Sequence, residues 1–228
     1  LRSAPRCRRG RLASFVRPPL MILYKYKSLE PFHQATDLLL KQRIYCPKPS
    51  QLNDPLEGFI GVTHPEDPNA QTFEDKFKHH ASYWLTAYDE LDRYRICSFS
   101  GSPDNPLMWS YYGNGHSGIC LQLDVTEFEN EITPVEYVED LSIIDQSSVR
   151  SLLRYKLVHW KHEEEFRLVF GPDPQAKYIK ANIKSVIIGS NLKDEYLLQF
   201  FELCKLMNYP LEMLTFSTTG KSLRIPWN

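Results

Sequence analysis

The chain has 228 residues, of which 42% are hydrophobic and 24% charged, with 27 basic against 28 acidic side chains. These figures describe a globular protein and exclude collagen-like, coiled-coil and wholly disordered classes. No apolar run reaches the roughly 18 residues that a membrane-spanning helix needs, so no membrane association is expected.

The near balance of charge hides a division. Residues 1–20 hold Arg2, Arg6, Arg8, Arg9, Arg11 and Arg17 and no acid. Removing these six leaves 21 basic against 28 acidic side chains, a net charge of −7. Composition changes abruptly at Met21. Residues 1–20 are therefore read as a basic, non-native or disordered extension outside the fold. An organelle presequence and a basic nucleic-acid arm are the alternatives. Pro5, Pro18 and Pro19 count against the helix of a presequence. Residues 21–228 are expected to form a single α+β domain with mixed or antiparallel sheets and flanking helices.

From Met21 onward the elements follow in order. Residues 22–27 (ILYKYK) alternate as a strand. Over 30–42, Phe32, Ala35, Leu38 and Leu39 share a helical face, with Pro31 in the first turn. Residues 44–46 are extended, and Ser50–Gly58 is turn chemistry. A polar loop is expected at 63–75 and a helix at 72–90. Residues 95–100 (RICSFS) read as a buried strand, 107–112 as a short aromatic helix, and 113–118 (GNGHSG) as a loop. Strands follow at 119–123, 132–138, 164–170, 183–188, 211–217 and 222–226. Helices are expected at 147–159 and 192–207, the latter capped by Asn191 and Asp194.

Cys7, Cys46, Cys97, Cys120 and Cys204 show no CxxC spacing, and four of them lie in apolar surroundings. This is the pattern of buried free thiols in a reducing, cytoplasmic setting, with a catalytic Cys97 as the alternative. The histidines lack metal-ligand spacing, so no metal is expected. Walker, GxSxG and dinucleotide glycine motifs are absent from the sequence.

Four clusters carry candidate chemistry. On the first strand, Lys25 and Lys27 share one face and Tyr24 and Tyr26 the other. The lysines suit a phosphate or pyrophosphate; alternatively they guard an exposed edge strand. Next, Ser98 and Ser100 share a strand face. Met108, Trp109, Tyr111 and Tyr112 follow, dense enough to sandwich a planar ring or to fill a core. Nearby glycines and His116 permit close backbone approach to a ligand, or simply a turn. In the third cluster (WKHEEEFRLVF), Glu163, Glu165 and Arg167 share one strand face opposite Phe166, Leu168 and Phe170. Paired carboxylates suit acid/base work or stabilisation of a sugar oxocarbenium ion. The alternative is an exposed face of ion pairs. Trp160 stands beside this cluster. Lastly, Asn53 and Asp54 occupy a turn from which they either cap an element or reach a cleft.

Taken in order, LYKYKSL, SQLNDPLEG, ICSFS, PLMWSYYGNGHSGICLQLD, WKHEEEFRL and IKSVIIG are similar to the blocks of domain-of-unknown-function family 2971, a bacterial family. More distantly, the arrangement resembles the ADP-ribosyltransferase superfamily. Glu163-Glu164-Glu165 resembles its Glu-x-Glu motif, although lysine stands where the first strand usually carries histidine or arginine. The resemblance implies NAD as cofactor, Glu165 as the catalytic glutamate and Glu163 orienting or deprotonating the acceptor. It further implies NAD contacts from Tyr24, Lys25, Lys27, Ser98, Ser100, Trp109, Tyr111, Tyr112 and Arg167. Other cleft candidates are Asn53, Asp54, His116 and Trp160. The acceptor would be a protein or a nucleic acid, and toxin-like members suggest an effector in bacterial stress or phage defence. A non-catalytic sensor of a nucleotide or other small ligand is the second reading. A nucleic-acid-processing enzyme is the third, and the acidic balance counts against broad affinity for phosphates.

Overall fold

Segments with a period of two become strands wherever a neighbour supplies backbone partners and a core receives the apolar face. The computed structural model describes residues 20–54, 56, 58, 72, 89–144, 148–172, 174–175, 177–217, 219 and 221–227. The basic extension before Leu20 and most of the loop and helix expected over 63–90 lie outside the described residues.

The first unit is β1 (Ile22–Lys27), α1 (Phe32–Lys41) and β2 (Arg43–Tyr45). The central unit is β3 (Arg95–Ser100), α2 (Pro106–Tyr111), β4 (Ile119–Asp124), β5 (Thr133–Pro134) and β6 (Glu136–Val138). Then come α3 (Val149–Leu152), β7 (Tyr155–Leu157), β8 (Glu165–Phe170), β9 (Tyr178–Lys180) and β10 (Ile183–Ile188). The chain closes with α4 (Asp194–Leu206), β11 (Leu211–Phe216) and β12 (Ser222–Trp227). Among the described residues, eight strands form one sheet in the order β12-β11-β10-β4-β1-β3-β8-β5, parallel only between β10 and β11. Two-stranded ribbons β2–β9 and β6–β7 flank it. The result is one mixed α/β fold with a large sheet and few helices.

One face of the sheet is apolar. Leu23, Cys97, Phe99, Leu121, Leu168 and Val186 meet Leu38 and Leu39 of α1 and Phe200 and Cys204 of α4. Phe32 ties the two helices together, with its ring centroid 5.4 Å from that of Phe200. Complete burial of a side chain such as Leu39 stabilises the fold by about 1.5–3 kcal/mol. The helical face read from Ala35, Leu38 and Leu39 is the buried one. On the opposite face, α2 lays Met108 and Trp109 against Tyr26, Cys120 and Ile187.

Several expectations change. β1 is central, paired with β4 along its length and with β3 through Tyr24 opposite Ser100, so its lysines do not guard an edge. The helix expected over 147–159 shrinks to α3, because Tyr155–Leu157 pairs in parallel with Glu136–Val138. A 3₁₀ segment, Val158–Glu163, follows. The strand expected over 132–138 is divided between β5 and β6. The N-cap of α4 is Lys193 without a side-chain cap, while Asn191 donates to the Gly115 carbonyl at 3.1 Å. Cys46, Cys97, Cys120 and Cys204 are buried free thiols, as their apolar settings indicated. Among the described residues, no helix is long and apolar enough to cross a membrane.

Candidate functional site

Strand register builds the floor of a cleft. Tyr24, Ser100 and Glu165 stand opposite one another across β1, β3 and β8. Ser98 stands opposite Arg167 in the next row. These rows lie on the face away from Phe99 and Leu168. They line a cavity of about 120 Å³ that opens to solvent, together with Pro47, Leu52, Asn53, Met108, Tyr112, Lys156 and Glu163.

Local chemistry fixes the walls. Asn105 caps α2, its Oδ1 accepting from the Leu107 N–H at 2.9 Å, with Pro106 in the first turn. The same residue donates from Nδ2 to the His162 carbonyl at 2.6 Å, tying α2 to the 3₁₀ segment that carries Glu163. Glu164 then adopts a left-handed conformation (φ 44°, ψ 49°). For a residue other than glycine this costs roughly 1–2 kcal/mol. It bends the chain so that Glu163, which precedes β8, faces the same cavity as Glu165. The two carboxylates meet because of this turn, not because they alternate along one strand. Ser100 supports the bend, its Oγ donating to the Glu163 carbonyl at 2.8 Å.

The charged groups form a chain of contacts. Lys156 Nζ lies 2.5 Å from Glu163 Oε2 and 3.1 Å from Glu165 Oε2. Arg167 clasps Glu165 in a fork, Nε to Oε1 at 2.8 Å and an η-nitrogen to Oε2 at 2.9 Å. Arg167 also donates to the Leu153 carbonyl at 2.8 Å. Tyr112 donates to Glu163 Oε1 at 2.5 Å and accepts from Asn53 Nδ2 at 2.8 Å. Lys25 donates from Nζ to the Ser98 carbonyl at 2.6 Å, between β1 and β3. Tyr137 accepts from the Glu165 N–H at 2.9 Å.

Lys156, Glu163, Glu165 and Arg167 are all at least nine-tenths buried, so unpaired charges here would be prohibitively costly. Burial alone would raise the Glu165 carboxyl. The Arg167 and Lys156 charges, with hydrogen bonds from Arg167 and Ser98, reverse this and hold it at about 2. Glu165 is therefore a carboxylate at neutral pH. Burial, then the neighbouring Glu163 charge, pushes the Tyr112 phenol well above its ordinary value. Burial pushes Tyr137 up to about 12. With Lys25, Lys156 and Arg167 against Glu163 and Glu165, the cavity carries one excess positive charge inside a chain that is net −7 from Met21 onward.

Of the residues singled out from the sequence, Tyr24, Lys25, Asn53, Ser98, Ser100, Tyr112, Glu163, Glu165 and Arg167 line the cavity. Others do not. Lys27 lies outside the lining, 3.3 Å from Gln34 Oε1, and burial followed by the Lys25 charge lowers its pKa. Trp109 is a core residue, fully buried edge-on to Tyr26 and donating to the Pro103 carbonyl at 2.8 Å. Tyr111 is 61% exposed and packs beside His162. His116 stacks on Trp109. Asp54 closes its own turn by accepting from the Leu56 N–H at 2.9 Å. Trp160 is not part of the lining and has the Lys156 ammonium 4.9 Å from its ring centre. The glycine loop serves packing: a Cβ on Gly118 would lie 2.5 Å from the Lys27 carbonyl oxygen.

Lys156 is the charged cavity residue that sequence reading missed. It falls within a segment read as helix, where a lysine signals only a solvated face. Its signal was the surplus of acids in WKHEEE a few residues on, which a buried cation would neutralise. Among the described residues, no group of His, Cys, Asp or Glu is arranged to hold a metal ion. No protein-family model, curated protein or solved structure matches this chain.

Proposed function

We propose that the cavity is the active site of an ADP-ribosyltransferase-like enzyme that uses NAD, in a chain related to domain-of-unknown-function family 2971. The observation that carries the reading is the convergence of Lys25, Ser98, Ser100, Tyr112, Glu163, Glu165 and Arg167 on one cavity. A volume of 120 Å³ is below the ~300 Å³ of sites that enclose a whole drug-sized ligand. It suits the nicotinamide end of the dinucleotide, with the remainder lying across the mouth. In this reaction the bond between the ribose anomeric carbon and nicotinamide breaks, and its electron pair leaves with the ring nitrogen. Glu165, held ionised, stabilises the cationic sugar. The acceptor's lone pair closes on the anomeric carbon, and its proton passes to Glu163. Lys25 balances the charge of the pyrophosphate.

A second reading, a nucleotide-binding sensor without turnover, is favoured by one observation. Both oxygens of Glu165 are already engaged by Arg167 and Lys156. Calorimetry with NAD and mass spectrometry of released nicotinamide separate the two. The enzyme binds NAD and releases nicotinamide, and Glu165→Gln lowers release at least about a hundredfold. The sensor binds without release, and Glu165→Gln leaves affinity nearly unchanged. A folded protein that binds no NAD at millimolar concentration overturns both assignments of this ligand.

A further inference from the structure

The β2–β9 ribbon lies outside the cavity lining and has a composition of its own. Its register sets Arg43 opposite Lys180, Ile44 opposite Ile179, and Tyr45 opposite Tyr178. Ile44 is buried in the core and Ile179 packs against it, which directs the four remaining side chains outward. Tyr45 and Tyr178 are each 41% exposed, with ring centroids 5.5 Å apart. The Arg43 guanidinium lies 4.2 Å from the centre of the Tyr178 ring. Tyr45 donates to Gln51 Oε1 at 3.0 Å, and the Arg95 guanidinium lies over its ring, 5.8 Å from the centre.

The charge of this face is opposite to that of the chain. Lys177 and Lys180 are exposed, and Lys41 and Arg43 share Asp37 as their acidic partner. At the far end Lys48 stands 3.8 Å from Asp92. Among the described residues named here, cations outnumber acids, although the chain from Met21 is net −7. An isolated aromatic on a surface needs no explanation. Two half-exposed rings in register, with an arginine stacked on one and lysines flanking both, offer ring planes for bases and cations for phosphates. The ribbon is only a few residues long, so it presents a short track suited to an unpaired strand, whose bases are free to stack.

We propose that the outer face of the β2–β9 ribbon binds single-stranded nucleic acid. Stacking on Tyr45, Tyr178 and the Arg43 guanidinium would supply the affinity, and Lys41, Lys177 and Lys180 would neutralise phosphates. The inference does not depend on the ligand of the cavity.

Fluorescence anisotropy with labelled oligothymidine and oligouridine tests it, alongside a duplex of equal length and with unlabelled polyglutamate as competitor. The strands are expected to bind at micromolar protein and the duplex more weakly. The logarithm of the affinity should fall with the logarithm of salt at a slope near −2, about 0.7 for each of three phosphates. Tyr178→Ala and Tyr45→Ala should each weaken binding about tenfold, Tyr178→Phe should preserve it, and Lys180→Glu should weaken it and flatten the slope. Calorimetry with NAD should be unchanged in all four variants, which separates this surface from the cavity. The proposal is overturned by no anisotropy change up to about 100 µM protein at low salt. It is equally overturned if binding survives Tyr45→Ala/Tyr178→Ala in a protein that melts normally. Competition by polyglutamate as strong as that by unlabelled strand would mark an acidic-protein surface instead, and also overturns it.

Discussion

Arg167 and Leu168 are neighbours on β8, both essentially inaccessible to solvent, and they face opposite worlds. Leu168 joins Phe99 and Cys97 in the apolar core. Arg167 joins Ser98, Glu165 and Lys156 around the cavity. The core face gains stability from area removed from water, a non-directional effect. The cavity face holds charges that are tolerable only because each has partners at hydrogen-bonding distance. Such a network is a poor device for stability, since well-packed apolar side chains would do as well. Its position beside an open cavity marks it as the candidate site.

The sharpest test replaces each neighbour. Arg167→Met leaves Glu165 buried with Lys156 and should cost about 3–5 kcal/mol in urea unfolding at pH 7. Leu168→Ala should cost about 3 kcal/mol through lost transfer energy and a cavity. The two differ in pH dependence. The cost of Arg167→Met should shrink by pH 3, because protonation removes the stranded charge, whereas that of Leu168→Ala should not. Equal costs at both pH values would break the distinction between the faces.

The wild-type protein carries the same signature. The Glu165 carboxyl lies at about 2, against 4.5 in its ordinary state. A lowered folded-state pKa contributes stability that is fully present above the unfolded value. That contribution, on the order of 3 kcal/mol, is lost as pH falls from about 4.5 toward 2. Urea titrations should show this loss in the wild type and its reduction in Glu165→Gln. Next, Glu165→Leu/Arg167→Met removes both partners and should change stability by only about 1 kcal/mol, in either direction, while abolishing ligand binding at the cavity. A large destabilisation would instead make the pair part of the fold's support. The smallest effect is expected at Glu164→Gly, which relieves the left-handed turn and should raise stability by about 1 kcal/mol or less. If that variant also loosens the approach of Glu163 to Lys156, ligand affinity falls while stability rises.

Much of the site was readable in one dimension because a strand's period is two. Once Ser98 and Ser100 or Glu165 and Arg167 are placed on strands, their common face follows. Trp109 and Tyr111 failed for a related reason. Tyr111 stands one helical step from Tyr112 and is turned to solvent, and Trp109, on the side of Tyr112, is taken up by the core. Lys156 was hidden because its three-residue strand depends on pairing with β6, distant in sequence.

By itself the sequence determined the local elements with strong periodicity: β1, α1, β3, β8, β10 and the buried face of α1. It also determined which side chains alternate toward one face, since backbone geometry dictates that wherever a strand forms. The tertiary structure decided which of those faces is core and which is cavity. It made β1 central, so that Lys25 lies between β1 and β3 against the Ser98 carbonyl and does not guard an edge. Through the turn at Glu164 and the cap at Asn105 it brought Glu163 to Lys156 and Glu165. Those residues are close in the chain, but Lys156 is placed by the pairing of β7 with β6 and Glu165 by that of β8 with β3, and neither register is written in the local sequence.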